Sequence, residues 1–110
     1  MRVLGSTVLA AIALCAAAAP LDAGAAGVRR VVLKDIEFSP ATVTIRRGDT
    51  VRWVWRDPSV SHDVTSRGRL RFRSSQAKLK GTHAVPFKRK GTYRYVCTIH
   101  PSMLGKVVVR

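Results

Sequence analysis

Apolar and polar residues alternate with a period of two along much of the chain. Val51, Trp53 and Trp55 alternate with polar residues, as do Val43 and Ile45. This period predicts half-buried β-strands, because successive side chains of a strand point to opposite faces of a sheet. Further extended segments are predicted at 28–33, 62–66, 82–87, 92–96 and 106–109. Glycines and prolines separate these segments and no helical period is evident, so the pattern predicts an all-β sandwich of about seven short strands.

The first segment has a different pattern. Arg2 precedes an apolar, alanine-rich run, and Ala23-Gly24-Ala25 provides a small-residue cleavage site. A basic start, an apolar run and such a site are typical of a secretory signal peptide. We therefore predict a leader at 1–25 and one exported domain at 26–110, in the periplasm or outside the cell. The alternative is an uncleaved membrane anchor, since the apolar run is nearly long enough to span a bilayer.

Length and composition restrict the class of protein. A chain of 110 residues has room for one small domain and not for an enzyme with separate cofactor and substrate domains. An apolar share of 46% is too high for a disordered polyelectrolyte. After the predicted cleavage site a single cysteine remains, Cys97, which excludes a disulfide framework. The length, the apolar share and the single cysteine favour a small binding or carrier domain.

The residues with the most distinctive chemistry lie near the C-terminus. Cys97, His100 and Met103 follow one another at C-x₂-H-x₂-M spacing, so one tight loop can direct a thiol, an imidazole and a thioether at one point. His62 is the natural fourth ligand, and His83 is its only rival. Two imidazoles, one thiolate and a weak methionine contact are the ligands of a blue-copper electron-transfer site. Structural zinc rarely uses methionine. The residues therefore predict one copper ion that alternates between Cu(I) and Cu(II).

These motifs make the chain resemble the cupredoxins, of the plastocyanin and amicyanin kind. The resemblance spans Val31 to Val109 and is strongest in Gly91–Met103 and Ser61–Val64. It implies an eight-strand Greek-key β-sandwich with copper at one end. The metal ligands that it implies are His62, Cys97, His100 and Met103. The short spacing between the last two is more similar to amicyanin than to plastocyanin.

The residue after the first histidine departs from the family pattern. It is Asp63 here, where the family has an asparagine that tethers the two ligand loops and whose backbone N–H bonds the cysteine sulfur. The aspartate can still bond Thr98, but its negative charge is expected to lower the copper potential.

The functional prediction is a monomeric one-electron carrier between protein redox partners. We do not expect an enzyme, because protein ligands fill the metal positions and no substrate pocket is evident. An alternative is a copper carrier or buffer that transfers the metal rather than electrons, since it would use the same ligands. A third hypothesis is a small subunit of an oxidase or of a dehydrogenase chain.

The positive charge suggests the kind of partner. Lys and Arg number 20 against 6 acidic residues, a net charge of +14. Four arginines alternate with other residues at 67, 69, 71 and 73, so an extended segment would place them on one side. Such a field would steer acidic partners. The alternative is a solvated basic surface suited to an anionic envelope, with association at a membrane surface. Export and the absence of a recognised motif argue against nucleic acid.

Other conspicuous residues are predicted to be structural. His83 fits no ligand position and is expected on the surface of its strand. The aromatic residues expected in the core, or packed beneath the site, are Phe38, Trp53, Trp55, Phe72, Tyr93 and Tyr95.

Overall fold

The structure is a computed structural model that describes residues 25–110. Two four-stranded sheets face each other in this part of the chain, in the orders β2-β1-β4-β6 and β3-β8-β7-β5. The strands are β1 (Val28–Lys34), β2 (Glu37–Ser39), β3 (Thr42–Ile45), β4 (Thr50–Trp55), β5 (Thr65–Arg67), β6 (Thr82–Pro86), β7 (Gly91–Val96) and β8 (Leu104–Val109). β1 pairs with β4 and β3 with β8 in parallel, while the other neighbours are antiparallel. The predicted all-β sandwich is confirmed.

The predicted leader lies outside the described residues, apart from Ala25, so the signal peptide stays a prediction. Across residues 25–110, no helix has the length and apolarity needed to cross a membrane.

The core is built from the alternating positions of the strands. Val51, Trp53 and Trp55 are all buried on β4, as their period of two predicts. Trp53 is central: its ring stacks on Phe72 at 5.4 Å between centroids and meets the edge of Tyr95 at 5.3 Å. Aromatic rings at these distances add attraction beyond the area they bury. The predicted core therefore forms around one tryptophan, with Tyr95 leading towards Cys97 along β7.

Two strands differ most from the prediction. The segment predicted at 62–66 becomes a strand only at Thr65, and His62 forms a single isolated bridge with Lys78. Backbone N–H groups here donate to serine side chains: Val64 N donates to Ser75 Oγ, and Ser66 N donates to Ser74 Oγ, both at 2.9 Å. The other difference is β2, a strand of three residues with one buried side chain, which is too short to give a readable alternation.

The predicted stripe of four arginines is wrong. The chain leaves the extended conformation at Gly68, whose φ of +85° is favourable for glycine, and no strand follows until β6. Arg71 folds back, with its Nε donating to the Gly68 carbonyl at 2.8 Å. Arg73 donates to the Ala84 carbonyl at 2.8 Å. Two of the four guanidiniums are therefore used to hold this loop onto neighbouring backbone.

The predicted surface position of His83 is also wrong. The residue is opposite Trp53 in the β4–β6 register and only 7% exposed, so its side chain faces the core. The Arg73 carbonyl lies 2.7 Å from Nε2, and the Arg73 guanidinium lies 3.3 Å from Nδ1. Burial lowers the pKa of His83, and a neutral ring with its proton on Nε2 satisfies both contacts. The histidine fixes the loop to β6.

We predict that Gly105→Ala strongly destabilises the sandwich. A Cβ at Gly105 would lie 2.6 Å or less from three atoms of the Tyr95 phenol, which is opposite it across β7 and β8. Because that ring is 1% exposed and enclosed by other aromatic rings, it cannot move away cheaply. Overpacking of this kind costs about 1–3 kcal/mol of unfolding free energy, measurable by urea denaturation. The same alanine in a Tyr95→Leu background should cost clearly less, and equal costs would contradict the clash.

Candidate metal centre

The loop after β7 brings three predicted ligands close together. Cys97 is the first residue after the strand, and Met103 is the last before β8. Three backbone hydrogen bonds close the loop: His100 N to Cys97 O at 3.2 Å, Met103 N to His100 O at 2.8 Å, and Cys97 N to Met103 O at 3.1 Å. Since the ends of this loop bond each other, its side chains have few conformations left. The Cys97 and Met103 side chains are essentially buried, and His100 is partly exposed.

His62 joins this loop from a segment 35 residues before Cys97 in the sequence. One donor atom from each of His62, Cys97 and His100 lies within 4.8 Å of the other two. The Nδ1 atoms of His62 and His100 lie 4.0 and 3.6 Å from Cys97 Sγ. Among residues 25–110, no other group of three such side chains meets in this way. His83 lies outside the cluster, so His62 and not His83 is the second histidine at the site beside His100.

Asp57 holds the first histidine in place. Its Oδ2 lies 2.7 Å from His62 Nε2, and this hydrogen bond lowers the pKa of Asp57. The backbone of His62 is fixed as well, because its carbonyl accepts from Trp55 Nε1 at 2.9 Å and from Lys78 N at 3.0 Å. With Nε2 engaged by a carboxylate, the lone pair of the imidazole is on Nδ1, which faces the cysteine. Asp57 could not be predicted from the sequence, because only the folded loop shows that its carboxylate returns to the histidine.

Asp63 ties the two ligand-bearing segments together. Its backbone N–H points at Cys97 Sγ at 3.5 Å, and its carboxylate accepts from Thr98 N at 3.0 Å and from the Thr98 hydroxyl. Burial acts to raise the pKa of Asp63, but hydrogen bonds from Thr98 and Thr65 outweigh it and the pKa is lowered. An ionised carboxylate therefore makes the contacts that the family resemblance implies for asparagine.

The donor set fits copper. Two imidazole nitrogens and a cysteine sulfur converge, and a buried thioether belongs to the same closed loop. Soft sulfur ligands suit Cu(I) and imidazole suits both oxidation states, whereas structural zinc sites use four firm ligands.

Comparison with known proteins agrees with this site. A family model described as a cupredoxin-like domain matches residues 5–109. Amicyanin-alpha of Methylorubrum extorquens is 35% identical over 119 residues, covering 91% of this chain and 93% of that protein. Amicyanin of Paracoccus versutus is 33% identical over 100 residues, covering 87% and 71%. The copper-resistant cuproprotein CopI of Rubrivivax gelatinosus is 31% identical and covers 74% and 65%.

Solved structures give the same result for the fold. The Cu(I) form of an amicyanin variant superposes with a TM-score of 0.67 at 32% identity, covering 78% of this chain and 85% of that one. The chain belongs to the cupredoxin family, the blue copper proteins. Copper is the cofactor of this family, and the residues gathered here are suited to hold it. The predictions of family, fold and metal are confirmed.

Proposed function

We propose that this chain is an exported blue copper protein that carries single electrons between protein partners. Its metal ligands would be His62, Cys97 and His100, with Met103 as the weak axial ligand. The convergence of the first three donor atoms within 4.8 Å of one another is the observation that carries this proposal. When bound, copper supplies a one-electron couple between Cu(I) and Cu(II).

The residues around the site keep the ligands still during such an exchange. Asp57 fixes the ring of His62, and Asp63 fixes the Cys97 loop through Thr98. A site held by its surroundings changes little when charge arrives, and small rearrangement favours rapid electron transfer. Because protein side chains would fill every position, none is left open for a substrate, which supports a carrier rather than an enzyme.

His100 is the proposed exit for the electron. Its neighbours in the cluster, His62 and Cys97, are fully buried, whereas His100 is partly exposed between the exposed Ile99 and Pro101. A partner could therefore approach this imidazole edge closely without opening the site. The net charge of +14 supports an acidic partner, since opposite charge accelerates association.

Voltammetry of the copper-loaded protein tests the carrier function. We expect a reversible one-electron wave and little loss of copper to a competing chelator over the same period. The similarity to CopI makes a copper carrier or buffer the second candidate. A copper carrier would give up its metal readily to the chelator and cycle poorly, and that result would contradict electron transfer.

We predict that Asp63→Asn raises the reduction potential. The amide keeps an oxygen acceptor for Thr98 N but removes the negative charge next to Cys97. That charge favours Cu(II) over Cu(I), so its removal favours Cu(I). A charge interaction of about 1–4 kcal/mol corresponds to roughly 40–170 mV for one electron. The matched control is Asp49→Asn, because Asp49 is also buried but bonds Gly27 and Arg46 away from the ligands. Equal potentials for wild type and Asp63→Asn would contradict the role of the charge.

A further inference from the structure

The outer face of the second sheet carries an unusual row of cations. Arg67 on β5 is paired with Arg94 on β7, and Arg94 is paired with Lys106 on β8. The row crosses three neighbouring strands on the face away from the core, since the adjacent Ser66, Tyr95 and Val107 are buried. Like charges directly opposite each other in a sheet are destabilising.

Within residues 25–110 little compensates this row: Asp63 attracts Arg67, but no carboxylate forms a salt bridge with Arg94 or Lys106. The strands of the second sheet contain no aspartate or glutamate at all. In the part of the chain that the structure describes, no lysine or arginine forms a salt bridge with a carboxylate, and the one comparable contact joins Asp57 to the His62 ring. Buried Asp49 and Asp63 are engaged in hydrogen bonds of their own. A largely uncompensated cross-strand row therefore persists, although it lowers stability and a single neutral side chain would relieve it.

An apolar strip lies between this row and the proposed copper site. Two register positions further along, on the same face of the sheet, Leu104 on β8 is opposite Val96 on β7, and Leu104 is 61% exposed. A groove of about 420 Å³ follows the strip from Arg67 and Arg94 to Leu104 and Pro101 of the ligand loop. The cations and the ligand loop thus border one continuous surface, large enough to accept an apolar side chain.

We propose that this face, defined by Arg67, Arg94, Lys106 and Leu104, is the docking surface for an acidic protein partner. The cations would meet carboxylates, and the groove would take an apolar side chain at the centre of the contact. This inference rests on the proposed electron-carrier function and names the surface that its partner uses. β7 crosses the face and runs directly into Cys97, so a docked partner would lie beside the strand that holds the thiolate ligand.

An acidic protein suits this surface better than an anionic membrane does. Phosphate headgroups require positive charge alone, whereas this face also has an apolar groove beside its cations. Protein interfaces commonly combine an apolar centre with charged surroundings.

The test uses copper-loaded protein and a dye-labelled acidic peptide that carries one central leucine. Binding is followed by fluorescence anisotropy at low salt, and amide NMR shifts locate the contact. We expect Arg94→Glu to weaken binding by about tenfold, with a smaller effect as salt increases. Leu104→Ser should also weaken it, and the shifts should fall on β5, β7 and β8. The matched control is Arg52→Glu, because Arg52 is exposed on the opposite sheet beside Arg30, also a like-charge pair.

Equal weakening by Arg94→Glu and Arg52→Glu would overturn the proposal, because only net charge would then matter. Binding to vesicles of phosphatidylcholine and phosphatidylglycerol that depends on Arg94, without any binding of the peptide, would also overturn it in favour of a membrane. Failure of the proposed electron transfer is distinguishable from these two outcomes. It would remove the reversible couple from every variant while leaving the anisotropy differences in place.

Discussion

Cys97→Ser is expected to abolish the intense visible colour of the copper-loaded protein. The colour of a blue copper site arises from charge transfer between the cysteine sulfur and the metal, and a serine hydroxyl provides no comparable electron donor. Cys97 is 0% exposed and its Sγ lies 3.6 Å from His100 Nδ1, so it is at the centre of the donor set. Copper affinity should fall by more than the roughly 10–100-fold typical of changes outside the ligand shell. Absorption and electron spin resonance spectra after copper addition measure both effects.

The fold should survive this substitution, since serine is nearly the same size as cysteine. Circular dichroism and the urea midpoint of the apo protein provide that control. Met103→Leu is the second control: it keeps the thiolate and should retain the colour, while loss of the axial sulfur raises the potential. A strongly coloured Cys97→Ser protein, with its sheets intact, would show that another group supplies the charge transfer.

The part of the site that lies in one short segment could be predicted from the sequence. Cys97, His100 and Met103 are separated by two residues each, and a strand end followed by a closed loop brings such positions together whatever the rest of the fold does. The alternation on β4 was informative for the same reason, because burial of Val51, Trp53 and Trp55 depends on the strand itself.

The parts that depend on the path of the folded chain could not be predicted in this way. Asp57 is five residues from His62, and only the path of the loop shows that its carboxylate returns to the imidazole. The surface prediction for His83 failed because His83 pairs with Trp53 across β4 and β6, and both side chains face the core. The arginine stripe failed because one glycine with positive φ ended the strand early. Each case was decided by the path of the folded chain, which no local period describes.

The two buried histidines offer a sharp comparison, because only one of them belongs to the proposed metal site. His62 and His83 are 0% and 7% exposed, and each bonds a neighbouring segment through Nε2. We expect His62→Gln to lose the blue colour and release copper, since glutamine keeps a donor for Asp57 but supplies no imidazole Nδ1. We expect His83→Gln to keep both the colour and the copper. Loss of colour in both variants would contradict the assignment of His62 as the ligand.

His83→Gln should instead change how stability depends on pH. Burial lowers the pKa of His83 in the folded protein, whereas in the unfolded chain it is about 6.5. Between these two pKa values the unfolded chain binds more protons, so stability rises with pH there. The contribution of the neutral ring is complete above about pH 6.5 and is lost as the pH falls towards the folded pKa.

Urea unfolding of the apo proteins at about pH 7.5 and about pH 5 measures this pH dependence of stability. Copper is left out because bound metal stabilises the fold by mass action. The wild type should lose more stability than His83→Gln over that interval, and equal losses would mean that the buried ring is protonated in the fold.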